Sequence, residues 1–286
     1  MSDGVSMLLS AGDYRLELAP EKGGAVLRFD WRGMPLFRPV CGPSILDTAC
    51  FPLVPFSNRI AFGRFVAEDR EVALAPNFPG SDHPHCLHGF GWLSAWEVVE
   101  AGEAAAVLRH RHPGGEWPWP YVAEQRFELD ETGLTMMLSV TNGADTAMPA
   151  GLGFHPYFPR DADTIYHGLH RGEWHNSADG LPERLDLRDG ARDWWEGAPV
   201  GSRAVDTLYT HREGALRIVW PSRGMALEMT ASPSLRHSVV YSPAGMDFFC
   251  VEPVTHMTDA VNRADDDMDW LPPGATLSAW VRLEAR

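Results

Sequence analysis

Turn-forming residues punctuate this chain from end to end. Its 27 glycines and 23 prolines are spread so that no long stretch of the 286 residues escapes them. A helix interrupted that often cannot propagate, because glycine gives up backbone entropy and proline removes a hydrogen-bond donor. Short runs with period two fit between the turns. Leu134, Met136, Leu138 and Val140 alternate with Thr135, Met137, Ser139 and Thr141, and Leu277, Ala279, Val281 and Leu283 with Ser278, Trp280, Arg282 and Glu284. Such alternation puts one set on each face of a strand. Comparable runs lie at 14–18, 25–31, 104–110, 122–129, 215–220, 225–230, 237–241 and 248–251. With no helical period between them, the expectation is an all-β chain built as a large antiparallel sandwich or barrel. Residues 259–270 could form a short helix, although their Asp265-Asp266-Asp267 run reads more simply as a solvated turn. Residues 179–201, rich in Gly, Asp, Arg and Trp, read as a long surface excursion. Neither a fixed-period repeat nor a linker divides the chain, so a single domain over 1–286 is expected.

Charge narrows the partners. The formal net charge is −15, and the 24 basic residues are scattered rather than gathered into a stripe, which argues against nucleic acid and anionic membrane surfaces. No apolar run approaches the roughly 20 residues that span a bilayer. At 44% hydrophobic residues the chain can bury a core without disulfides or a structural metal. Cys41, Cys50, Cys86 and Cys250 form no CxxC pair and read as reduced thiols. The first residues lack a basic segment followed by an apolar one, and a cytoplasmic location is expected.

Several chemistries find no support. There is no GxxxxGK[ST], HExxH or GxSxG, and Gly151-Leu-Gly153 begins a dinucleotide fingerprint that Pro156 breaks. His83-Pro-His85-Cys-Leu-His88 offers three imidazoles, but the next carboxylate is Glu97, too distant for a cupin-like site. No metal is therefore expected, and His83 and His85 read as exposed loop residues.

Four segments set polar residues among prolines, glycines and aromatics: Phe51-Pro-Leu-Val-Pro-Phe-Ser-Asn58-Arg59-Ile60, Leu87-His88-Gly89-Phe90-Gly91-Trp92, Gly153-Phe154-His155-Pro156-Tyr157-Phe158 and Val251-Glu252-Pro253-Val254-Thr255. Any one could be a satisfied core or turn residue. Together they offer a carboxylate, two imidazoles and an Asn-Arg pair without a nucleophile, metal or cofactor motif. That set suits proton transfer, since burial and neighbours can tune both carboxylate and imidazole toward neutrality. Trp92, Trp117, Trp119, Tyr157 and Tyr241 could supply flat walls for a pyranose ring.

These segments, with Pro20-Glu-Lys-Gly23-Gly24 before them, resemble the aldose 1-epimerase (galactose mutarotase) family in motif and in order, over roughly residues 20–262. The resemblance implies a galactose mutarotase-like β-supersandwich with a sugar groove, and an isomerase that interconverts the α and β anomers of a free aldohexose without a cofactor. It assigns Glu252 as general base, His155 as general acid, and Asn58, Arg59 and His88 as substrate ligands. Asp206 and Tyr157 match shorter motifs for the same groove. His88-Gly89-Phe90 stands where well-studied members have His-Gly-Gly, and the Trp117-Pro-Trp119 segment replaces a different loop, so the preferred aldose stays open. Two alternatives remain. One is a hexose-6-phosphate 1-epimerase using cations such as Arg64, Arg70, Arg126 or Arg160; the other is a non-catalytic carbohydrate-binding or sensor protein. The implied partner is a small aldose, and the chain could act as a monomer or homodimer.

Overall fold

The computed structural model describes residues 6–187, 192–263 and 268–286. Two large antiparallel sheets dominate it, one of eleven strands and one of nine. In the nine-stranded sheet the period-two runs take their expected places. Gly133–Asn142 lies between Tyr121–Asp130 and Thr276–Ala285. Leu134, Met136 and Leu138 face Leu283, Val281 and Ala279 across the ladder. These side chains are buried, whereas the Met137–Trp280 pair between them lies on the outer face. A sheet with one wet face reads as alternation, and this one does.

The eleven-stranded sheet is built differently at its centre. There Cys50–Leu53, Gly153–Pro159, Phe248–Val254, His237–Ser242 and Val205–Thr210 lie side by side in that spatial order. Every residue of the first three is buried. Burial on both faces removes the alternation, so only the part of Phe248–Val254 up to Val251 is visible to a pattern search. Each of the three also carries a proline, Pro52, Pro156 and Pro253. Proline cannot donate to a ladder. Gly153 pairs with Val254 and Tyr157 with Cys250, but from Phe154 to Pro156 no pair forms with Phe248–Val254.

The side chains between the layers form one contiguous apolar cluster, from Leu16 and Phe29 to Leu138 and Val281, with Trp92, Trp117 and Trp220 fully enclosed. Excursion 179–201 is more ordered than its composition implies. It adds an edge strand to each sheet, Pro182–Asp186 and Ala198–Pro199, around the helical turn Arg192–Trp195, and Trp194 is buried against Tyr166. Within 259–270 only Ala260–Asn262 is helical, as a 3-10 turn, and Asp269–Leu271 is a strand. Asp265, Asp266 and Asp267 lie outside the described residues.

Candidate active site

Two glycine turns bring separate segments together. Gly23 has φ +67°, and a Cβ there would lie 2.1 Å from the carbonyl oxygen of Trp92. Gly89 has φ +69°, and its Cβ would lie 2.2 Å from the carbonyl oxygen of Val54. Only glycine permits both the conformation and the approach. Phe90 N and Gly91 N both donate to that Val54 oxygen, at 3.0 and 3.1 Å. The His88 loop is thereby tied to the segment that carries Asn58.

Asn58 and His88, both with positive φ, interlock. His88 N donates to Asn58 O at 2.9 Å, and Asn58 N donates to His88 Nδ1 at 3.1 Å. An accepting Nδ1 places the proton of neutral His88 on Nε2. Burial, reinforced by His155 and Arg59, holds His88 well below the usual imidazole value, so it stays neutral. Asn58 Oδ1 in turn accepts from Arg59 N at 2.9 Å and Arg59 Nη1 at 3.0 Å. Arg59 Nη2 reaches Asp206 Oδ2 at 3.0 Å.

Where the ladder opens, His155 Nε2 and Glu252 Oε1 lie 3.2 Å apart. His155 stacks on Phe51 with ring centroids 4.4 Å apart and meets His88 edge-on at 5.4 Å. Burial raises the Glu252 carboxyl well above its usual value, with the Asp206 charge acting the same way. Burial also pushes His155 down to about 3, with the positive charge of Arg38 adding to it. Both directions favour a pair that carries one proton between its two members and no net charge.

All seven residues singled out from the sequence, Glu252, His155, Asn58, Arg59, His88, Asp206 and Tyr157, line one groove of about 400 Å³. This is a small-molecule size. Its aromatic walls are partly unforeseen: Tyr157 and Tyr241 are there, joined by Phe78 and Phe248. Trp92 instead lies behind Phe51, at 5.2 Å, and Trp117 and Trp119 pack with Phe65 in the core, so none of the three reaches the groove. His85 is not the exposed residue expected; it is buried and accepts from Phe62 N at Nδ1, 2.9 Å away. His83 is half-buried and lines the groove. Asp179 Oδ2 approaches His85 Nε2 at 3.6 Å, and Gly180 packs on the Arg59 guanidinium. The start of excursion 179–201 therefore borders the groove at its Arg59 end.

Phe248 could have been found by counting in twos, and the ladder explains the place of Tyr241. Phe248, Cys250 and Glu252 share one face of a strand, and Tyr241 sits opposite Asp206 as Val239 sits opposite Glu252. Arg38, which also lines the groove, carries no such signal. The ligating atoms of Cys250, His155 and Glu252 lie within 4.8 Å of one another, the one such trio among the described residues. A metal there would occupy both members of the acid–base pair, and burial holds the Cys250 thiol protonated.

Fold and groove together define a large antiparallel β-supersandwich whose groove holds a buried carboxyl–imidazole pair. The chain belongs to the aldose 1-epimerase family, whose model matches residues 10–284. It is 33% identical to the uncharacterized protein YphB of Escherichia coli (strain K12), over 96% of this chain and 97% of that one. A crystal structure from Escherichia coli K12, provisionally named an aldose 1-epimerase, superposes with a TM-score of 0.90 at 31% identity, covering 99% of each chain. A galactose mutarotase-like protein of Clostridium acetobutylicum shares the fold, with a TM-score of 0.87 at 19% identity over 98% of this chain and 94% of that one.

Proposed function

We propose that the chain catalyses interconversion of the α and β anomers of an aldopyranose, with Glu252 and His155 exchanging protons with the sugar. The observation that carries this reading is the buried 3.2 Å contact between the two at the wall of the groove. Transfer of the pair's proton from Glu252 to His155 readies it for a ring-closed sugar, as carboxylate and imidazolium. Glu252 removes the proton of the anomeric hydroxyl while His155 protonates the ring oxygen. The ring carbon–oxygen bond breaks and the aldehyde forms. Glu252 is now protonated and His155 neutral, so the pair still holds one proton. Rotation about the bond to the carbonyl carbon presents its other face. Reclosure returns both protons and gives the opposite anomer, with nothing consumed.

The pair's single proton supports this cycle, because it matches the requirement of both the closed and the open states. His88, with its proton on Nε2, and Arg59 supply donors for oxygen atoms on which negative charge develops. Asn58 and Asp206 hold Arg59 in place and offer hydrogen bonds to ring hydroxyls. The phenol of Tyr157, kept protonated by burial, forms a wall beside His155 at a ring distance of 4.8 Å. A pure binding protein would not need a buried acid–base pair.

The test is anomer exchange followed by polarimetry or proton NMR from pure α-D-glucose and α-D-galactose. Glu252→Gln is expected to keep sugar binding, measured by calorimetry, and to lose about 10²–10⁴-fold in rate. Near-normal exchange in that variant would remove Glu252 from the mechanism. Saturable binding without exchange by the unaltered protein would favour a sensor.

A further inference from the structure

Among the described residues, two arginines line the groove, Arg59 and Arg38. Arg59 is neutralised by Asp206 at 3.0 Å. Arg38 has no such partner. It is 8% exposed, its Nη2 donates to the carbonyl oxygens of Leu46 and Thr48 at 2.6 and 2.9 Å, and its Nε is buried without a hydrogen bond. Its guanidinium carbon sits 3.9 Å from the Tyr157 ring centroid and 4.6 Å from that of Phe248. Carbonyl dipoles and ring faces soften a buried charge but do not cancel it.

The carboxylates lining the groove are otherwise engaged. Glu252 lies 3.2 Å from His155, and Asp47, outside ion-pair distance of Arg38, accepts from Ser44 N at 2.8 Å in the capping box of its own turn. The cations considered from the sequence are elsewhere. Arg64 pairs with Glu71, Arg126 with Glu100 and Glu128, and Arg160 Nη1 bonds Ser242 and Pro243. An uncompensated guanidinium held rigidly in a groove wall is a site prepared for negative charge.

We propose that Arg38 receives an anionic substituent, a phosphate or a carboxylate on the exocyclic carbon of the aldose, and so selects acidic sugars over neutral ones. This rests on the epimerase reading of the same groove. Arg38 packs on Tyr157, which packs on His155, so the cation stands beyond the residue that addresses the ring oxygen. The exocyclic carbon is attached next to that oxygen, and its substituent extends toward Arg38. Asp206 and Arg59 are left to the ring hydroxyls at the other end.

The experiment compares anomer exchange of D-glucose, D-glucose 6-phosphate and D-glucuronate by NMR saturation transfer, in the unaltered protein and in Arg38→Met and Arg38→Lys. At least one charged sugar is expected to show a kcat/KM tenfold or more above that of glucose. Arg38→Met should lower that value tenfold or more, mainly through KM, and lower the value for glucose by a much smaller factor. Arg38→Lys should retain part of the preference. In the unaltered protein, inorganic phosphate should inhibit glucose exchange competitively, an outcome that needs no variant to fold. Glucose preferred over both charged sugars, or Arg38→Met lowering all three equally, would overturn the proposal. Binding of a charged sugar that depends on Arg38, without exchange, would support Arg38 and overturn the epimerase reading. Exchange of glucose alone would do the reverse.

Discussion

At the scale of single residues, the His155–Glu252 pair acts through the number of protons it holds. Burial drives the carboxyl up and the imidazole down, to about 3, so the pair holds one proton over the interval between them. Loss of that proton removes the acid, and gain of a second removes the base. Exchange is therefore expected to show no acid limb at about pH 6 to 7, where an ordinary imidazole titrates. The acid limb should lie near the depressed value and the alkaline limb above the usual carboxylate range. An acid limb with its half-point near 6.5 would contradict the depressed imidazole. The types and order of these residues were legible in the sequence. Their protonation was not, because it depends on a burial to which distant segments contribute.

Elements decide how firmly those residues are held. The turn at Gly89 lies against the strand that ends at Leu53, so Gly89→Ala forces both a strained φ and a clash with Val54 O. A loss of about 1–3 kcal/mol in stability is expected, read from a chemical denaturation midpoint. Exchange should fall further than the folded fraction does, because His88 moves with the turn. An unchanged rate per folded molecule would separate the His88 loop from catalysis. The strands of the nine-stranded sheet could be read directly, since one face is wet and the side chains alternate. Cys50–Leu53 and Gly153–Pro159 could not. Both faces are covered, and their prolines argue against a central strand until the ladder opening at Phe154 to Pro156 is seen to accommodate one of them. The same opening is where His155 meets Glu252.

For the molecule as a whole, buried imidazoles tie stability to pH. Burial pushes His110 down to about 4 and His170 to about 3, and holds His88 low as well. The unfolded chain takes up these protons below about 6.5 while the folded chain refuses them. Their contribution is thus complete above about 6.5 and drains as pH falls toward 4 and 3, by up to a few kcal/mol in total. Glu252 and Asp259, both raised by burial, work in the opposite sense, gaining stability as pH falls toward their unfolded values, but the depressed imidazoles, His155 among them, outnumber these two. A lower Tm at pH 5 than at pH 7 is expected from circular dichroism, in a single transition because one apolar cluster joins the two sheets. His170→Phe should shallow that slope, since neither ring nitrogen of His170 has a hydrogen-bond partner. A Tm that holds or rises on acidification would contradict the argument. The sequence by itself determined the all-β class, through turns that forbid long helices, and which polar residues gather in one groove, through motifs that carry them. Tertiary structure alone decided which aromatics line the groove, where Arg38 stands without an ion-pair partner among the described residues, and that Glu252 and His155 meet in a buried setting. Those outcomes depend on distance and dielectric, quantities that exist only once segments some 200 residues apart in the chain, such as those of Phe51 and Glu252, are packed together.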